Sequence, residues 1–96
     1  MMTPYNLVQF IRDLPKAELH VHIEGTLEPE LLCEMARRNH LTLRVQTVEE
    51  LRKAYSFHSL QSFLNIYYEG TRVLLSEQDF FDLTWAYLER AAQQNV

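Results

Sequence analysis

One segment of this chain has the period of a β-strand. Over Lys16–Ile23 apolar and polar residues alternate, so one face would carry only apolar side chains and the other Glu18, His20 and His22. A single strand cannot form a sheet, because its backbone N–H and C=O groups need partners. The segment therefore pairs with another chain or with further sequence, or it is not a strand here. The simplest explanation is that these 96 residues are a piece of a larger protein.

The rest of the chain has helical signals. Proline, capping residues and apolar spacing predict five helices. They cover approximately residues 5–14, 28–39, 47–54, 60–69 and 76–95. We expect Met35, Trp85 and Tyr87 in the core, Asn95 at a helix end and Val96 at the start of a second strand. This order of elements is that of the opening βα unit of a parallel α/β fold.

Composition excludes several classes of partner. Nine Lys and Arg are scattered and outnumbered by thirteen Asp and Glu, which argues against a nucleic-acid partner. No apolar run approaches the roughly 18 residues that a membrane span needs. The N-terminal residues lack the basic lead of a secretory signal. The single cysteine, Cys33, excludes an internal disulfide framework and suits a reducing compartment, so we expect a cytoplasmic protein.

His20 and His22 are candidate metal ligands. Side chains at i and i+2 of a strand project from one face about 6.5–7 Å apart along the chain. That spacing lets both imidazoles converge on one metal ion at Zn–N distances of about 2.0–2.1 Å. Glu24 continues on the same side if the strand persists, and Gly25 then turns the chain. At the end of a parallel strand, such a group is typical of a metal-bearing barrel mouth.

The spacing alone leaves another interpretation open. A half-exposed edge strand with a polar outer face has the same alternation, and most histidines have no ligand role. A zinc site also needs three or four protein donors. Cys33 falls in a predicted helix, and His40 and His58 are expected to be solvated loop residues. The cytidine-deaminase signature is excluded, because it requires a Pro-Cys-x-x-Cys motif that the chain lacks.

Residues 14–32, LPKAELHVHIEGTLEPELL, resemble the N-terminal segment of the adenosine/adenine deaminase family of metal-dependent amidohydrolases. The match joins the His-x-His pair to the following Glu-Gly and to Leu-Glu-Pro-Glu-Leu at fixed offsets. It continues more loosely through DFFDLTWAYL at residues 79–88. The resemblance implies an α/β fold, a (β/α)₈ barrel. Residues 1–96 would form its N-terminal segment, mostly helical with one strand over about Lys16–Ile23.

The resemblance also implies roles for individual residues. His20 and His22 fall on two ligands of a single zinc ion. Glu24 falls where adenosine-specific members usually carry an aspartate that contacts the ribose. A glutamate at this position resembles the adenine deaminase branch of the family. Gly25 would permit a tight turn beside the substrate.

A helix that forms an apolar gate over the purine in the family is also matched here. Its residues are Leu60, Phe63 and Leu64, with Tyr67 one turn on. The same spacing is that of an ordinary buried helix stripe, so both interpretations stay open.

The implied reaction is hydrolytic deamination of adenine to hypoxanthine and ammonia by a zinc-activated water. The catalytic acid and the remaining ligands belong to later strands of the family, so no catalytic residue is expected within residues 1–96. The chain alone is expected to be inactive. Three alternatives remain: an adenosine deaminase, a non-catalytic helical module that self-associates through the unpaired strand, and a metal-binding but silent fragment.

Overall fold

The computed structural model describes residues 3–96, and this part of the chain is helical. It contains α1 (Pro4–Asp13), a 3₁₀ turn (Ile23–Thr26), α2 (Pro29–Arg38), α3 (Val48–Ala54), α4 (Leu60–Thr71) and α5 (Glu77–Gln93). All five predicted helices are present. None of the helices within residues 3–96 has the length and apolarity needed to cross a bilayer.

The predicted strand over Lys16–Ile23 is wrong for this structure. Residues 15–22 have no regular secondary structure and no strand partner, and no strand occurs within residues 3–96. The physical reason is that the described residues offer this segment no second strand whose N–H and C=O groups could complete a ladder. Its apolar side is correspondingly open, with Leu19 94% exposed. The segment ends where the amide of Gly25 donates to the carbonyl of His22 at 2.8 Å.

Side-chain caps begin three of the helices where the sequence predicts them. The capping oxygens of Thr47, Ser59 and Ser76 accept the amides of Glu50, Ser62 and Asp79 at 3.1, 3.1 and 3.2 Å. Each cap satisfies an amide that has no partner inside its own helix. At the other end of α4, the helix continues through Gly70 to Thr71 instead of ending near residue 69.

Left-handed residues end α2 and α5. His40 and Asn95 have φ of 56° and 58°. After α5 the amide of Val96 donates to the carbonyl of Ala91 at 2.9 Å and that of Asn95 to the carbonyl of Ala92 at 3.2 Å, the two hydrogen bonds of a Schellman motif. The prediction that Asn95 ends the helix is confirmed. Val96 closes this cap in the structure and begins no strand among the described residues.

The core lies where α2, α3, α5 and the segment after α4 meet. Its fully buried apolar residues are Leu32, Met35, Leu51, Val73 and Leu83. The prediction for Met35 is confirmed, whereas Tyr87 is only half-buried. The prediction for Trp85 is wrong, because its side chain is 58% exposed. Two residues along a helix correspond to about 200°, so Trp85 points away from the face that buries Leu83.

A buried carboxylate joins α2 to α5. The Asp79 side chain is 1% exposed and accepts the amides of Leu75 and Ser76 at 3.0 and 2.9 Å. The Asn39 amide donates to the same oxygen at 3.0 Å, and Arg38 pairs with the other oxygen. Burial alone would raise the pKa of Asp79, but these donors outweigh it and hold the pKa well below its usual range.

Candidate functional site

The two predicted metal ligands face each other. His20 and His22 project from the extended segment, and their Nε2 atoms lie 3.2 Å apart. Their ring centroids are 5.0 Å apart and the rings are tilted by 55°. Two nitrogens bound to one tetrahedral zinc ion at about 2.0–2.1 Å would be separated by about 3.3–3.4 Å. The pair therefore fits a shared cation, and the same separation also suits an N–H···N hydrogen bond between the rings.

The histidine pair lacks a third donor from this part of the chain. Among residues 3–96 no group of three His, Cys, Asp or Glu side chains is placed to hold a metal ion. Cys33 is half-buried in α2, and burial raises the pKa of its thiol, which disfavours the thiolate that a metal needs. His40 and His58 are exposed, as expected for solvated residues. Any further ligand has to come from outside the described residues.

Glu24 lies beside the histidines, in the 3₁₀ turn. Its Oε1 atom accepts the hydroxyl of Tyr67 at 2.5 Å and lies 3.7 Å from Nδ1 of His22. The hydrogen bond from Tyr67 is the main reason that the pKa of Glu24 is lowered, and it raises the pKa of Tyr67 in turn. Glu24 is therefore an ionised acceptor at neutral pH, held by a residue of another helix.

The hydrogen bond between Tyr67 and Glu24 was not predicted from the sequence, which indicates Tyr67 only as the position one turn beyond the gate residues. The available signal was its hydroxyl, which lies on the same face of α4 as the apolar gate residues. Which partner it would meet was not readable, because 43 residues separate Tyr67 from Glu24.

Gly25 lies within the turn, as predicted, but its backbone does not require glycine. Its φ is not positive. A Cβ atom built at this position would approach Tyr67 Cε2 at 3.8 Å, an ordinary van der Waals distance. The structure around Gly25 therefore leaves space that a side chain could fill beside the Glu24 carboxylate.

The predicted gate residues lie on the first two turns of α4. Leu60 is 72% and Phe63 39% exposed, and Leu64 is half-buried. This exposure argues against an ordinary buried stripe within residues 3–96. The Phe63 ring lies 5.9 Å from the Tyr67 ring and 5.2 Å from the Phe57 ring, so an aromatic row leads from the start of α4 towards Glu24.

Several known proteins are similar to this chain in sequence. A family model described as adenosine deaminase matches residues 15–96. The adenine deaminase of Acinetobacter baylyi is 60% identical over 91 residues, which are 95% of this chain and 27% of that protein. The adenine deaminase of Wolinella succinogenes is 63% identical over 90 residues, 94% of this chain and 27% of that protein.

A solved structure is also similar. The crystal structure of an adenine deaminase from Arthrobacter aurescens matches with a TM-score of 0.79 and 57% identity. The match covers 85% of this chain and 25% of that one. The chain thus spans about a quarter of the length of the relatives that it matches.

Proposed function

Because the chain belongs to the adenosine deaminase family, we propose that it is the N-terminal portion of an enzyme that hydrolyses adenine to hypoxanthine and ammonia. The observation that carries this proposal is the identity to adenine deaminases over nearly the whole chain. Its substrate would be a small purine, and its partners would include neither nucleic acid nor a membrane. The free thiol of Cys33 fits a reducing cytoplasm.

The proposed fold of the whole protein is a (β/α)₈ barrel, with residues 1–96 as its N-terminal segment. Residues 15–22 have no neighbouring strand within residues 3–96, which supports this fold because a barrel would supply such strands. The exposed apolar side chains of Leu19 and Val21 also support it, since inter-element packing would cover them.

We propose one zinc ion per active site, held in part by Nε2 of His20 and of His22. The 3.2 Å separation of these atoms supports the assignment. When bound, zinc supplies the Lewis acidity that makes water a usable nucleophile near neutral pH. Two imidazoles do not complete a site, so the other donors and the acid that protonates the purine ring would lie outside these residues. The 96-residue chain alone is therefore expected to be inactive.

The chain's own residues would bind and orient the purine. The ionised Glu24 would accept an N–H of the base, and the absence of a side chain at Gly25 would let the ring approach. Leu60, Phe63 and Leu64 would cover the purine and exclude water, which strengthens each polar contact beneath them. Glutamate, one methylene longer than aspartate, would extend into space that a ribose needs, which favours adenine over adenosine.

Ammonia release by the full-length protein tests the proposal. We expect turnover of adenine well above that of adenosine, loss of activity with a chelator and recovery on addition of zinc. No metal-dependent turnover of either purine would refute the proposal. Adenosine is the second candidate substrate, because the matching family model is described as adenosine deaminase. A preference for adenosine would reject only the argument from Glu24.

Self-association of the 96-residue chain is a separate candidate, favoured by the open apolar side of residues 15–22. Light scattering of this chain decides it, because a monodisperse monomer would contradict it.

Zinc titration of the same chain tests the third possibility, a silent metal-binding fragment, for which His20→Ala should abolish tight binding.

A further inference from the structure

Resting on the proposed adenine deaminase activity, we infer that Tyr67 is a positioning residue that holds the Glu24 carboxylate in the orientation needed to accept an N–H of the purine. Tyr67 would act through Glu24 and would not itself touch the reacting atoms. A hydroxyl on α4 would thus contribute to the discrimination between adenine and adenosine.

The position of the Tyr67 hydroxyl is set by packing. Its ring lies 5.9 Å from the Phe63 ring and 5.6 Å from the Tyr68 ring, the latter in an edge-to-face arrangement. Tyrosine has only two side-chain torsions, so a ring held on a helix leaves its oxygen little freedom. The 2.5 Å hydrogen bond passes this constraint to Glu24, whose own turn is only four residues long.

Two protein groups converge on one oxygen of Glu24. The Tyr67 hydroxyl and Nδ1 of His22 both face Oε1, at 2.5 and 3.7 Å. Neither of them uses Oε2, so the carboxylate can present that oxygen to a ligand. Without the Tyr67 hydroxyl, Glu24 would be free to rotate about its side-chain torsions, and binding would have to order it.

The chemistry of the two purines explains why this matters. Free adenine carries an N–H on its five-membered ring, and in adenosine the sugar replaces that hydrogen. A fixed carboxylate that accepts this N–H would recognise the free base, and a bound nucleoside would cover the same acceptor without pairing it. Hypoxanthine, the proposed product, keeps the same N–H and serves as a ligand that is not turned over.

Tyr67→Phe in the full-length enzyme tests the inference, since it keeps the ring and removes only the hydroxyl. We expect the KM for adenine to rise about tenfold with kcat kept within about twofold, because binding rather than the chemical step is weakened. The Kd of hypoxanthine, measured by calorimetry, should rise by a similar factor. Tyr68→Phe, which removes an exposed hydroxyl from the next residue, is the matched control and should change neither constant.

A double-mutant cycle separates positioning from a general effect on α4. In a Glu24→Gln background, Tyr67→Phe should add little to the increase in KM. If Tyr67 only stabilised the helix, Tyr67→Phe would lower the apparent kcat equally in both backgrounds and leave KM unchanged, which would overturn the inference. An active wild-type enzyme with an unaltered Tyr67→Phe variant would also overturn it, whereas an inactive wild-type enzyme would refute the proposed function itself.

Discussion

The amide of Lys16 donates to the carbonyl of Asn95 at 3.0 Å, which ties the start of the histidine-bearing segment to the end of α5. The Lys16 ammonium also donates to the carbonyl of Gln94 at 2.6 Å. On the other side, the Asn95 side-chain amide donates to the carbonyl of Asp13 at 2.7 Å. One left-handed residue thus ends a helix and anchors the segment that carries the candidate ligands.

Asn95→Ala should destabilise the full-length protein by about 1 kcal/mol, because alanine tolerates the left-handed conformation poorly and cannot donate to Asp13. Asn95→Gly is the matched control: it keeps the backbone conformation and loses only the side-chain bond, so its melting temperature should fall less. Equal losses for the two variants would show that the φ of 58° contributes little.

The metal content of the full-length protein should depend on His20 and His22. Alanine at either position removes one of two imidazole donors whose nitrogens are 3.2 Å apart, so zinc affinity should fall by at least about tenfold. His58→Ala removes an exposed imidazole from the segment before α4 and should leave the zinc content unchanged. Atomic absorption after dialysis measures the difference, and full zinc retention by both ligand variants would contradict the assignment.

Asp79→Asn should be among the most destabilising single-atom changes in this part of the chain. The substitution places an NH₂ group, or a weaker neutral acceptor, where four donors converge on a carboxylate that is 1% exposed. We expect a loss of about 2–4 kcal/mol of unfolding free energy, measured by urea denaturation. Asp82→Asn, which alters a partly exposed partner of the same Arg38, should cost much less.

The stability contributed by Asp79 should depend on pH in one direction. Its pKa is lowered in the folded protein, so the contribution is fully present above the unfolded pKa of about 3.9 and is lost as the pH falls below that value. The difference in melting temperature between wild type and Asp79→Asn should therefore be constant from neutral pH to about pH 5 and narrow below about pH 4. A difference in melting temperature that widens on acidification would show that folding raises the pKa of Asp79 instead of lowering it.

Gly70→Ala should stabilise the protein. Gly70 lies inside α4 and is buried, and a Cβ atom there would meet Leu27 and Leu32 side chains at 3.6 Å, which is ordinary contact. Because alanine is favoured over glycine in a helix by about 1 kcal/mol, we expect a gain of about 0.5–1 kcal/mol in thermal unfolding. Gly70→Val adds methyl branches for which this contact leaves no room, so it should destabilise the protein. A lower stability of Gly70→Ala would instead indicate that the space beside Gly70 is already filled.

The local features of this protein could be predicted from its amino-acid sequence. The caps at Thr47, Ser59 and Ser76 and the helix end at Asn95 depend on bonds between residues a few positions apart, so their patterns could be read directly. The same holds for His20 and His22, whose proximity follows from two residues of extended backbone. The motif at residues 14–32 also indicated the family.

Features that depend on partners distant in the sequence could be read only from the folded chain. Whether Lys16–Ile23 forms a strand depends on neighbours that residues 3–96 do not supply, so its period could not settle its state. The exposure of Trp85 followed from which face of α5 meets the core. The bond between Tyr67 and Glu24 joins residues 43 apart, and such a contact exists only once the packing of α4 against the 3₁₀ turn has brought the two side chains together.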